Sequence, residues 1–177
     1  MIGNDEYRLA VDHWSALIKG TASWPDMTGQ ERAPFVEAPY RHTLEDPTGL
    51  PSVGAHRKFQ ILVMGVGPSE GLNYVSGTVR ATTLPFRVVV AYHLGGGDNC
   101  DERELRILAA GDAEAIKQQL THPSNYLINT SDIGTGTLLV RAVGDAEITA
   151  DEDRVLCTMN FRASMRVTVE PAQGAAA

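Results

Sequence analysis

The sequence predicts an α+β domain, a mainly antiparallel β-sheet with two helical regions packed on one side. Three observations lead there. Apolar residues recur with a helical period in two separated stretches, near residues 5–19 and 101–120. Elsewhere the period falls to two, most clearly over residues 155–169. The resulting order of helix, strands, helix, strands is that of an α+β architecture. With 177 residues the chain fits one domain, expected over 1–170, because two would each sit near the lower limit of a usable core.

The first helix is predicted from Tyr7, Ala10, Val11, Trp14, Leu17 and Ile18, which fall on one face of a 3.6-residue period. Asn4 suits its cap, Asp5 and Glu6 suit its positive end, and Gly20 closes it. Trp14 lies on the apolar stripe, which makes it a core anchor rather than a binding aromatic.

Residues 21–58 break this regularity. Pro25, Pro34, Pro39, Pro47 and Pro51 punctuate the stretch. A short strand is expected around Phe35 to Ala38, and the rest reads as an extended arm or long surface loop suited to subunit contacts.

Strands follow at Phe59 to Val66, Tyr74 to Thr83 and Pro85 to Leu94. In the last of these, Phe86, Val88, Val90, Tyr92 and Leu94 alternate with Arg87, Val89, Ala91 and His93. Pro85 is expected at a bend or a first strand position, where a missing N–H is tolerated. The second helical region spans about 101–120, with Leu105, Leu108, Ala109, Ala113, Ile116 and Leu120 on one face. Gly111-Asp112 predicts a break with Asp112 recapping the second part, and His122-Pro123 predicts the stop.

Thr137 to Val143 is a further strand, followed by an acidic turn. The last strand is the strongest local signal. From Val155, the apolar series Cys157, Met159, Phe161, Ala163, Met165, Val167 and Val169 alternates with Thr158, Asn160, Arg162, Ser164, Arg166 and Thr168. Its length exceeds the usual five or six residues, so it is expected to run past its own domain's core. The tail 171–177, PAQGAAA, is expected to fray.

Composition narrows the function. A hydrophobic share of 43% with 21% charged residues is that of a globular protein and not of a disordered one. A net charge of −7 gives no support to broad nucleic-acid binding, which needs clustered Lys and Arg. No apolar run approaches the roughly 20 residues that span a bilayer, and the start MIGNDEYRLAV lacks the marks of a signal peptide. A cytoplasmic site of synthesis is therefore expected, with Cys100 and Cys157 as free thiols.

The motif search is mostly negative. Gly65 to Gly71 superficially resembles a dinucleotide fingerprint, but strand character follows it where the fingerprint needs a helix, so a turn is expected. Gly95-Gly96-Gly97-Asp98 lacks the Gly-Lys-Ser/Thr of a phosphate loop. His13, His42, His56, His93 and His122 show no ligand spacing, and His93 with Cys100 falls two ligands short of a zinc site. Cys157 lies on the apolar face of its strand, as a buried inert thiol does. Asp145, Glu147, Asp151, Glu152 and Asp153 lack a calcium-loop pattern. They read as a solvated hairpin end, or as a partner for Arg162 or Arg166 of another copy. Neither a serine elbow nor an acid–base constellation emerges, and no catalytic, cofactor or metal residues are assigned.

The amphipathic first helix, the proline-rich stretch, LPFRVVVAYHL, GDAEAIKQQL with its following HPSN, and the closing VLCTMNFRASMRVTVE together resemble the tail terminator proteins of long-tailed bacteriophages. The resemblance is one of layout and covers most of the chain. It implies a small α+β virion protein without enzymatic activity or cofactor, forming a hexameric ring that caps the tail tube and receives the neck connector. It implies assembly in the host cytoplasm, no membrane partner, and at most indirect contact with DNA in the lumen. On this reading Thr158, Asn160, Arg162, Ser164, Arg166 and Thr168 form a lumen or ring-contact surface. The alternatives are another tail or neck component such as a tube protein, or a small-molecule binding module whose strands curve around a pocket.

Overall fold

A computed structural model describes residues 4–21, 35–38, 57–67, 70–74, 77–93, 101–130, 134–151 and 154–169. Most of the proline-rich stretch, the 95–98 glycine run, Cys100, His42, His56, Glu152, Asp153 and the tail 171–177 lie outside them. The elements in chain order are α1 (Asn4–Lys19), β1 (Val36–Glu37), β2 (Lys58–Val63), β3 (Glu70–Tyr74), β4 (Gly77–His93), α2 (Glu102–Thr121), a 3-10 turn (Pro123–Asn125), β5 (Leu127–Thr130), β6 (Gly134–Ala142), β7 (Glu147–Ala150) and β8 (Arg154–Val169). The protein is α+β, and its sheet is antiparallel throughout except for the short parallel pair β1–β2.

The two long strands β4 and β8 lie side by side at the centre of the sheet, paired from Thr78↔Val169 to His93↔Arg154. β2 and β3 share the outer edge of β4, while β6 and β7 share the outer edge of β8. The last strand in sequence is thus a central strand paired with β4 along its length. On its inner face the side chains are buried from Val155 to Met165, and those of residues 167–169 lie outside the described residues. A long strand is held here because two neighbours on one side and one long neighbour on the other satisfy its backbone groups.

Both helices pack on the same face of this sheet. Trp14 of α1 stacks on Phe86 of β4 at 3.9 Å between centroids, and Phe86 stacks in turn on Phe161 of β8 at 5.1 Å. Leu105, Leu108, Ala109, Ala113, Ile116 and Leu120 of α2 join the same core, as their spacing predicted. Trp14 is fully buried, and its Nε1 has no hydrogen-bond partner among the described residues. Its role is therefore apolar packing. α1 runs from Asn4 to Lys19, and the Asn4 side chain expected to cap it lies outside the described residues. The helix closes as Gly20 N–H and Thr21 N–H donate to Ala16 and Ile18.

Three sequence expectations are corrected. Pro85 does not start a strand but sits within the unbroken β4. The Pro85 carbonyl accepts from Met64 N–H at 2.9 Å, so this residue's backbone groups face the β2 side, where β2 has already ended at Val63. The missing N–H leaves the β4–β8 ladder intact. Likewise α2 runs without a break through Gly111-Asp112. Asp112 opens no second helix, because its carboxylate points into the core, where Arg57 and Tyr92 donate to it. The cap is Asp101, which accepts from Glu104 N–H at 2.8 Å. Finally, the acidic stretch after β6 is not all turn, since Glu147 opens β7.

Candidate interaction face of the sheet

Because side chains alternate along β8, Val155, Cys157, Met159, Phe161, Ala163 and Met165 are buried beneath the helices. The opposite series faces away from them. Asn160, Arg162, Ser164 and Arg166 are exposed and Thr158 is half-buried. Thr168 continues the series by register, with its side chain outside the described residues. All six residues singled out from the sequence thus share one face of one strand.

Register adds what the sequence did not show. Arg141 of β6 lies directly opposite Arg162, and Thr137 lies opposite Arg166. Both Arg141 and Thr137 are exposed, while Leu138 and Val140 turn inward. On the other flank Arg87 of β4 faces Asn160, and its Nε donates to Asn160 Oδ1 at 3.1 Å. Arg141, Arg162 and Arg166 make no ion pair with any described residue. Arginines far apart in sequence, 141 and 162, become neighbours only once the strands are in register.

The same sheet face is apolar toward β1. Val89 and Ala91, with Ala38, form a small buried cluster flanked by half-buried Leu62 and Leu156. The face therefore divides into a covered apolar end and an open basic centre. At the end of β2 and just past it the chain also shows Val63, Met64 and Val66 to solvent.

On the helix side, the principal polar group is sealed. Arg57 Nη1 donates to Asp112 Oδ1 at 3.0 Å, and Tyr92 Oη donates to Asp112 Oδ2 at 2.9 Å. The Arg57 guanidinium also lies over the Phe35 ring at 4.5 Å. Burial, and then the negative charge of Asp112, hold the Tyr92 hydroxyl well above its ordinary range. Burial, followed by the same charge, pushes the Cys157 thiol up to about 12, so it is a protonated, unreactive group. Enclosed this way, the cluster joins α2, β4 and the start of β2 and offers no access to a substrate.

His13 and His122 have structural contacts, while the side chain of His93 in β4 lies outside the described residues. His13 Nε2 is 2.8 Å from the Asn125 carbonyl, joining α1 to the 3-10 turn, and His122 Nδ1 is 2.6 Å from Ser124 Oγ. No group of three or more His, Cys, Asp or Glu side chains suited to a metal ion occurs among the described residues. Strand β3, not a helix, begins at Glu70 and takes in Gly71, and Gly67 N–H donates to the Thr83 carbonyl at 2.7 Å. A dinucleotide loop is thereby removed from consideration. Among the described residues, no helix is long and apolar enough to cross a membrane.

No protein-family model matches the chain, and no curated protein matches it.

Proposed function

We propose that the protein is a structural virion component, a tail terminator forming a ring at the head-proximal end of a phage tail and joining it to the neck. The observation that carries this reading is the open, arginine-bearing face at the centre of the sheet, set opposite the helices. A surface of this kind, built on the two longest and most extensively paired strands, suits a rigid contact with another protein. The buried polar groups, by contrast, are closed to substrate. The layout of elements resembles that of tail terminators, and the paired strands β4 and β8 supply the structural spine such a ring subunit needs.

On this reading the partners are other copies of the chain, the tail tube and the neck connector. No cofactor is required, and DNA passing through the lumen is contacted at most indirectly. The native mass of the purified protein, with negative-stain images of the same sample, tests it. A closed ring of about six copies is expected, cyclic closure being the rule for such assemblies. Long open tubes would instead identify a tube protein. A protein monomeric alone is mixed with isolated tail tubes, and failure to cap their ends overturns the reading.

A further inference from the structure

We infer that the basic centre of the sheet face receives the acidic β6–β7 turn of a second copy, with Asp145 and Glu147 docking against Arg141 and Arg162. This rests on the self-assembly part of the proposed function and names the surfaces that perform it. Like charges placed directly opposite on neighbouring strands destabilise a sheet, and Arg141 and Arg162 are so placed. Two planar guanidinium forks side by side are a receptor for carboxylates.

The chain supplies the complement. It carries 22 acidic against 15 basic residues, and the excess includes a clear projection. Gly144 takes a left-handed φ of 73°, and a Cβ built on it meets nothing within 4 Å, so the turn stands clear. Asp145 and Glu147 follow, exposed and without an ion pair among the described residues. Asp151 of the same acidic stretch is committed elsewhere, bound to Arg154 at 2.7 Å.

The occupant is better a compact acidic turn than a nucleic-acid strand. Glu147 lies opposite Thr158 and so on the basic face itself. It is four residues, about 13 Å, along the strand from Arg162. A polyanion laid along β8 would run into that carboxylate. The acidic margin and the basic centre are separate patches of one face, and the margin of one copy meeting the centre of the next uses a different patch on each. Such a contact repeats head to tail and closes into a ring when the rotation allows.

The test uses the full chain and two double variants, Arg141→Glu/Arg162→Glu and Asp145→Lys/Glu147→Lys, with circular dichroism confirming the fold of each. Native mass and sedimentation are read for each alone and for their equimolar mixture. Each variant alone is expected to lose at least about tenfold in assembly affinity, and the mixture to recover it, because each then meets a complementary partner. Milder Arg141→Gln/Arg162→Gln chains keep the test open should the reversal unfold the protein. Rings unchanged in both variants overturn the inference while leaving the proposed function standing. Two-copy particles restored by mixing support the contact but overturn the ring. Loss of binding to a short DNA duplex on arginine reversal, with acid reversal silent, assigns the face to nucleic acid and overturns the inference. A wild type monomeric at all concentrations overturns it too, whatever the tail-tube experiment shows.

Discussion

Arg57 and Asp112 meet in the core at 3.0 Å, with side chains 3% and 1% exposed, although 55 residues separate them. Removing one member takes from the other its opposite charge in a low-dielectric interior. Asp112→Ala is therefore expected to destabilise the protein by about 3–5 kcal/mol, whereas Arg57→Met/Asp112→Leu recovers a large part of that loss. Urea denaturation of the three chains checks this. A double variant no better than the single would show that the pair is not what holds the cluster.

Tyr92→Phe deletes the Tyr92 Oη hydrogen bond to Asp112 but keeps the Arg57 ion pair. A loss of about 1–3 kcal/mol is expected, the range for a hydrogen bond to a charged group. The same denaturation curves should place it clearly below Asp112→Ala.

Stability should fall at alkaline pH. Cys157 has an ordinary value of 9.0 and is held near 12 in the fold, so above pH 9 the unfolded chain loses this proton while the folded one keeps it. Tyr92, also raised, adds to the effect above its ordinary 10.0. The stabilisation is thus complete below pH 9 and declines as pH climbs toward 12, with a slope of about 1.4 kcal/mol per pH unit for the Cys157 proton. In Cys157→Ala the curve should stay flatter between pH 9 and 10. An unchanged slope there would show that Cys157 does not contribute.

Trp14→Ala should cost about 3–5 kcal/mol, since it empties the site stacked on Phe86. Trp14→Phe should cost much less. Phenylalanine retains the stack and removes an indole N–H that has no partner among the described residues. Thermal midpoints that drop equally for both would contradict this account.

Arg162→Ser should raise the stability of the isolated protomer by about 0.2–1 kcal/mol at low salt by relieving its repulsion with Arg141. Added salt should shrink the gain. A salt-independent change would point to packing instead.

Much of the fold was legible because its signals are local. The helical stripe through Ala10, Trp14 and Ile18 and the alternation from Val155 to Met165 each report their own burial. The candidate face was half legible for the same reason, since Asn160, Arg162, Ser164 and Arg166 lie on one strand. Arg141 was missed because only register brings it beside Arg162. Asp112 was misread because Gly-Asp is a local break signal, and the distant Arg57 and Tyr92 that satisfy its carboxylate have no sequence periodicity. Strand β5, with Leu127 exposed, and strand β3, which is glycine-bearing, lack the apolar contrast that marks a strand.

The central position of β8 has a consequence for the order of events during synthesis. β4 and β6 are its neighbours on either side, yet both leave the ribosome before residue 154 does. Until then their facing edges have nothing to pair across, and the contacts that join them span long stretches of chain. The nascent protein must therefore wait with two unsatisfied strand edges showing. Slow translation through residues 143–154 would lengthen that wait, exposing the chain to aggregation or to chaperone capture just before its final strand arrives.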